Sequence, residues 1–105
     1  MFDNDVIKKG IKNQAVLKAM RDVDRRKFVP DKYSDVAYDD RALPIGEEQT
    51  ISQPFIVAFM TESLQIEKGN KVLEVGTGSG YQTAVLSKLG AKVSTIEINL
   101  SLIHI

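Results

Sequence analysis

Two apolar runs, each closed by an acid and separated by a glycine-rich turn, constrain the fold of this chain more than any other feature. Val72-Leu73-Glu74-Val75 leads into Gly76-Thr77-Gly78-Ser79-Gly80-Tyr81, and Thr95-Ile96-Glu97 closes the second run. Three glycines at alternate positions let the backbone turn sharply and leave main chain bare for a ligand to approach. Glu97 stands 21 positions beyond Gly76, close to the ~20-residue spacing at which an acid ending the second strand meets ribose hydroxyls. The spacing predicts a strand over 71–75, a helix over 80–89 and a strand over 93–98. Gly90 falls where a helix ends on a left-handed residue. Strand, ten-residue helix and strand make a βαβ unit, so the two strands should be parallel neighbours. The fold class is α/β.

The glycine spacing discriminates among cofactors. A dinucleotide loop needs G-x-G-x-x-G, and counting from Gly76 puts Tyr81 where the third glycine belongs. A Gly-Lys-Ser/Thr phosphate loop is absent from the chain. What stands here is E-x-G-x-G-x-G, which resembles the cofactor loop of S-adenosylmethionine-dependent methyltransferases. Glu74, Gly76, Thr77, Gly78, Gly80 and Glu97 are the cofactor-binding candidates of this unit. S-adenosylmethionine has a ribose and a zwitterionic amino-acid end but no pyrophosphate. Close backbone approach and carboxylate partners suit it.

Composition excludes other chemistries. Fourteen basic and fourteen acidic residues cancel, which gives no electrostatic case for nucleic acid or an anionic membrane. The chain has no cysteine and one histidine, His104, so thiolate catalysis, disulfides and a histidine-based metal cluster are not expected. No apolar run approaches the ~20 residues of a membrane span. Met1-Phe2-Asp3-Asn4-Asp5 lacks the basic and apolar regions of a secretory signal, and the expected compartment is the cytoplasm. At 105 residues the chain is one small domain or a piece of a larger one.

Upstream of the βαβ unit, apolar periodicity predicts an amphipathic helix over 3–23, capped by Asp3 or Asn4, with Val6, Ile7, Ile11, Val16, Leu17 and Met20 sharing a face. Gly10 weakens its middle. Arg25-Arg26-Lys27, flanked by acids, reads as a solvated helix end rather than a nucleic-acid patch. Residues 31–40 read as irregular with a short helical turn, and 41–53 as a long loop of the functional or mobile kind. Pro54 suits the first turn of a helix over 54–66, with Ser52 or Gln53 at its cap. Ile56, Phe59, Met60, Ser63 and Leu64 mark the apolar stripe expected to pack.

Taken in order, several separated segments resemble the protein-L-isoaspartate O-methyltransferase family. They are Arg26-Lys27-Phe28-Val29-Pro30, Ala37-Tyr38, Leu43-Pro44-Ile45-Gly46, Gln49-Thr50-Ile51-Ser52-Gln53-Pro54 and the glycine loop. The glycine loop is common to many methyltransferases, whereas the Thr-Ile-Ser-Gln-Pro segment is specific to this family. The resemblance implies methyl transfer from S-adenosylmethionine to the α-carboxylate of L-isoaspartyl residues in damaged proteins, the first step of their repair. It implies Ser52 as the active-site serine beside the methyl-transfer centre, with no base in the chain to make it a nucleophile. A serine before a proline-led helix can also be simply a cap. The resemblance further implies Gln49 and Thr50 as cofactor-lining residues and Leu43, Pro44, Ile45 and Gly46 as the border of the isoaspartyl peptide. A monomer, no metal, and no nucleic-acid or membrane partner are implied for the full-length form.

The family runs to about twice this length on a seven-stranded Rossmann-like sheet, of which only the first two strands would be here. The expected organisation is an N-terminal helical and active-site-loop region over 1–70 and the first βαβ unit over 71–99. Residues 100–105, almost wholly apolar where the family continues into a polar amphipathic helix, are expected to be foreign to it. Alternatives are a small-molecule methyltransferase on the same scaffold, which has no reason to carry Thr50 to Pro54, and a non-catalytic truncated product.

Overall fold

The computed structural model describes residues 6–46 and 49–97. The expected single N-terminal helix is broken. A helical turn at 6–8 closes where Gly10 takes φ +108° and its amide donates to the Ile7 carbonyl at 3.0 Å. A new helix, α1 (Gln14–Asp22), then starts on Asn13, whose side chain accepts from the Val16 amide at 3.2 Å. Glycine at a positive φ and a fresh asparagine cap outweigh continuous apolar periodicity. The expected caps Asp3 and Asn4 lie outside the described residues. α1 buries Val16, Leu17, Ala19 and Met20, while Ile7 is 46% exposed, off the face it was expected to share.

Glu62 ties this start to a later helix. Its carboxylate accepts from the Lys12 amide at 2.9 Å and the Asn13 amide at 2.8 Å. Those two amides hold the Glu62 carboxyl below its ordinary value near 4.5. A carboxyl depressed in the folded state contributes stability that is complete above its unfolded value and lost as pH falls toward the folded one. Glu62→Gln should therefore have a lower Tm than the parent at pH 7. The gap should close as pH drops below about 4.5, as read by thermal melts across pH.

Two short 3-10 helices follow, Arg25–Phe28 and Asp31–Val36, the first capped by Asp24. Arg25 is not solvated as expected but fully buried. The expected 41–53 loop contains an antiparallel hairpin of β1 (Leu43–Gly46) and β2 (Gln49–Ile51). Leu43 pairs with Ile51, and both are buried. This cross-strand apolar pair gives the hairpin a face to pack, although Pro44 and Gly46 mask the strand signal in the sequence.

Helix α2 (Pro54–Ser63) ends three residues earlier than expected, as Leu64 caps it and Gln65 turns to φ +52°. It packs through Pro54, Val57, Ala58 and Thr61. The stripe expected to pack is largely the outward one: Phe59, Met60 and Leu64 are 52%, 56% and 57% exposed. The helix is apolar on both sides, so periodicity could not tell which side meets the core.

The βαβ unit forms as expected, with β3 (Lys71–Val75), α3 (Tyr81–Lys88) and β4 (Lys92–Ile96). β3 and β4 are parallel, in register from Lys71 opposite Lys92 to Val75 opposite Ile96. Gly90 follows the α3 cap at φ +90°, and a Cβ there would stand 3.0 Å from Lys68 Cγ. Bonds from Gly69 to Gly90 at 2.8 Å and from Lys92 to Asn70 at 2.7 Å bring the strand starts together. α1 packs against α2 and α3, and Leu17, Met20, Val57, Tyr81 and Val85 are buried in the core. Among the described residues, no helix is long and apolar enough to cross a membrane.

Candidate functional site

The ends of β3 and β4 carry a small network built around the two acids. Gly76 and Thr77 amides both donate to the Ile96 carbonyl, at 2.6 and 3.2 Å, carrying the strand pairing into the loop. Gly76, Gly78 and Gly80 then take φ of +88°, +57° and +88°, a run that side-chain-bearing residues adopt only under strain. Glu97 accepts from the Gly78 amide at 2.6 Å, so the acid ending β4 holds the middle of the loop that follows β3. Glu74 accepts from the hydroxyls of Thr83, on α3, and Thr95, on β4, the latter at 2.8 Å. The Thr95 hydroxyl also meets that of Thr77. Each acid thus bridges two parts of the unit.

Next to this network lies a cleft of about 320 Å³ lined by residues that include Ser52, Met60, Thr61, Glu74, Gly76 and Gln82. The hairpin's exit and the glycine loop therefore meet, although Ser52 and Gly76 are far apart in sequence. Ser52 is exposed and does not cap α2: Gln53 holds that position without a side-chain bond. The simple capping alternative is thereby removed. Gln49 and Thr50 are exposed on β2 and do not line this cleft. In β1, Leu43 is buried in the core, whereas Pro44 and Gly46 are exposed. Nothing lies within 4 Å of where a Cβ on Gly76 would stand, which leaves room for a ligand against the main chain.

Several residues of the site were not expected from the sequence. Thr61 is buried, donates to the Val57 carbonyl at 2.7 Å and accepts from the Gln82 amide group at 2.8 Å. Thr61→Val should leave that amide unpaired and lower stability by about 1–3 kcal/mol, measured by denaturant unfolding. Thr95 could have been found by aligning the two strands, since the register sets it opposite Glu74. Arg25 and Tyr81 form a second unexpected pair. The guanidinium carbon lies 4.9 Å from the ring centroid. Burial pushes the Tyr81 phenol up to about 12 and draws the Arg25 guanidinium below its ordinary value. Among the described residues, no group of three side chains could hold a metal ion.

A parallel βαβ unit with a glycine loop strung between two acids is the opening unit of a Rossmann-like methyltransferase fold. Solved structures share it. One is a protein-L-isoaspartate O-methyltransferase (PCMT) from Plasmodium falciparum in complex with S-adenosyl-L-homocysteine. It superposes with a TM-score of 0.79 at 26% identity, over 95% of this chain and 49% of that one. A second protein-L-isoaspartate O-methyltransferase gives 0.76 at 31% identity, over 92% of this chain and 33% of that one. The family model for protein-L-isoaspartate(D-aspartate) O-methyltransferase (PCMT) matches residues 1–104. Among relatives, the Gloeobacter violaceus protein-L-isoaspartate O-methyltransferase is 58% identical over 98 residues, 93% of this chain and 48% of the relative. The Dictyoglomus turgidum enzyme of that name is 61% identical over 88 residues, 84% of this chain and 40% of the relative. The chain belongs to the protein-L-isoaspartate O-methyltransferase family. It spans less than half the length of these two relatives.

Proposed function

We propose that this chain supplies the donor-binding half-site and the carboxylate-aligning serine of an enzyme that methylates the α-carboxylate of L-isoaspartyl residues in damaged proteins. The observation that carries this reading is the shared cleft: Ser52 lines it together with Glu74 and Gly76. S-adenosylmethionine, when bound, supplies a methyl group already activated on a sulfonium. A carboxylate is already nucleophilic, so the protein's contribution is alignment and exclusion of water. Glu97 holds the ribose hydroxyls, the bare main chain of Gly76, Thr77, Gly78 and Gly80 admits the amino-acid end, and Glu74 completes the donor site at the end of β3. Ser52 orients the substrate carboxylate from its place in the lining of the cleft. Gln49 and Thr50, on β2 outside that cleft, are assigned to the donor by the family resemblance alone, as are Pro44, Ile45 and Gly46 to the border of the peptide.

In this reading residues 1–70 form the helical and active-site-loop region and 71–99 the first cofactor-binding unit. The full-length enzyme is a cytoplasmic monomer, and the 105-residue chain binds the donor through this half-site without turning over. The test combines calorimetry of the purified chain with S-adenosylhomocysteine and a methyl-transfer assay with an isoaspartyl peptide. Saturable binding without transfer is expected. No binding would overturn the half-site, and transfer by the chain alone would overturn the need for the further length its relatives have.

A further inference from the structure

We infer that Arg25 is a positioning residue that fixes the Ser52 segment against the glycine-loop helix. Arg25 is fully buried, a rare state for an arginine. Its Nε donates to the Ala37 carbonyl and its Nη2 to the Ser52 carbonyl at 2.8 Å, while its guanidinium lies over the ring of Tyr81, the first residue of α3. Its own amide donates to the Tyr38 hydroxyl at 2.9 Å. One side chain therefore joins three segments remote in sequence, and the middle one carries Ser52.

The grip is not an economical way to stabilise a core. Taking a guanidinium and a phenol fully out of water is costly. Well-packed apolar residues often match or exceed buried ionic groups in stability. What no apolar residue supplies is a rigid fork that holds two carbonyls at once while its charge lies over an aromatic ring. That geometry fixes where the Ser52 main chain sits relative to α3, and so relative to Glu74 and Gly76 in the cleft. The inference rests on the reading of Ser52 as the residue beside the methyl-transfer centre.

The test is amide hydrogen exchange by NMR on the ¹⁵N-labelled 105-residue chain, comparing Arg25→Lys, Arg25→Ala and Arg25→Ala with added ethylguanidinium. The reporters are Phe55, whose amide donates to Asp40, and Val57, whose amide donates to the Gln53 carbonyl. In Arg25→Lys, which keeps charge and stem but loses the fork, exchange at Phe55 and Val57 should quicken roughly tenfold relative to the β3–β4 amides. Ethylguanidinium should restore the local protection in Arg25→Ala. Uniform quickening across the chain, or none at the reporters, would overturn the inference and leave Arg25 a core filler. S-adenosylhomocysteine titrations on the same samples separate the two ideas. A wild-type chain that fails to bind overturns the proposed half-site whatever the exchange pattern shows.

Discussion

Glu97→Ala is expected to weaken S-adenosylhomocysteine binding by roughly a hundredfold, because one carboxylate carries two duties. In the proposed function it meets the ribose, and it also accepts from the Gly78 amide at 2.6 Å. Alanine removes both, and the loop that the ligand must lie against loses its tether at a glycine with φ +57°. Glu97→Gln separates the duties. Its amide oxygen can still accept from Gly78, so the loop should stay ordered while the charge-assisted bonds to ribose are lost. An intermediate affinity by calorimetry is the expected outcome. Affinity unchanged in the alanine variant would remove Glu97 from the site.

The second large effect concerns the exposed apolar residues of β3, β4, α2 and its cap, of which Leu73, Val75, Met60 and Leu64 also line the cleft. Leu73, Val75 and Ile96 are 64%, 70% and 52% exposed. Alternation along β3 and the register with β4 place them on one side. Phe59, Met60 and Leu64 of α2 and its cap add further exposed apolar surface. Patches of this kind drive association, as do the open edges of a two-stranded pair. The purified chain should self-associate in light scattering. Leu73→Lys with Val75→Lys should raise the concentration needed at least about tenfold, since each apolar side chain removed from water is worth about 1.5–3 kcal/mol. A wild-type chain that stays monomeric at high concentration would show that this face tolerates water.

The parts of this architecture legible in the sequence were those fixed by local chemistry. The βαβ unit could be read because glycines and acids punctuate it at characteristic spacings, and Gly90 marked the end of α3. The break between the turn at 6–8 and α1 was written in Gly10 and Asn13, but apolar periodicity ran through it and concealed it. α2 defeated the pattern for the opposite reason: with apolar residues on both sides, nothing in the sequence ranked Val57 and Ala58 above Phe59 and Met60. The hairpin was hidden by Pro44 and Gly46, and only the pairing of Leu43 with Ile51 reveals it. At the site, the acids were visible as the ends of strands. The partners of Glu74, which are Thr83 and Thr95, depend on crossover and register. Arg25 was misread because a basic run flanked by acids looks solvated, and its burial depends on three segments that only tertiary structure brings together.

The same arginine has a bearing on the rates at which the molecule forms and comes apart. Its bonds to Ala37 and Ser52 close loops of 12 and 27 residues, and its stacking on Tyr81 closes a longer one still. Loop-closure entropy grows with each such span, so Arg25→Ala is expected to speed unfolding more than it slows folding, as read by stopped-flow kinetics. Interactions absent from the transition state govern how fast a protein comes apart rather than how fast it assembles. On that expectation Arg25 acts as a latch on the lifetime of the assembled site.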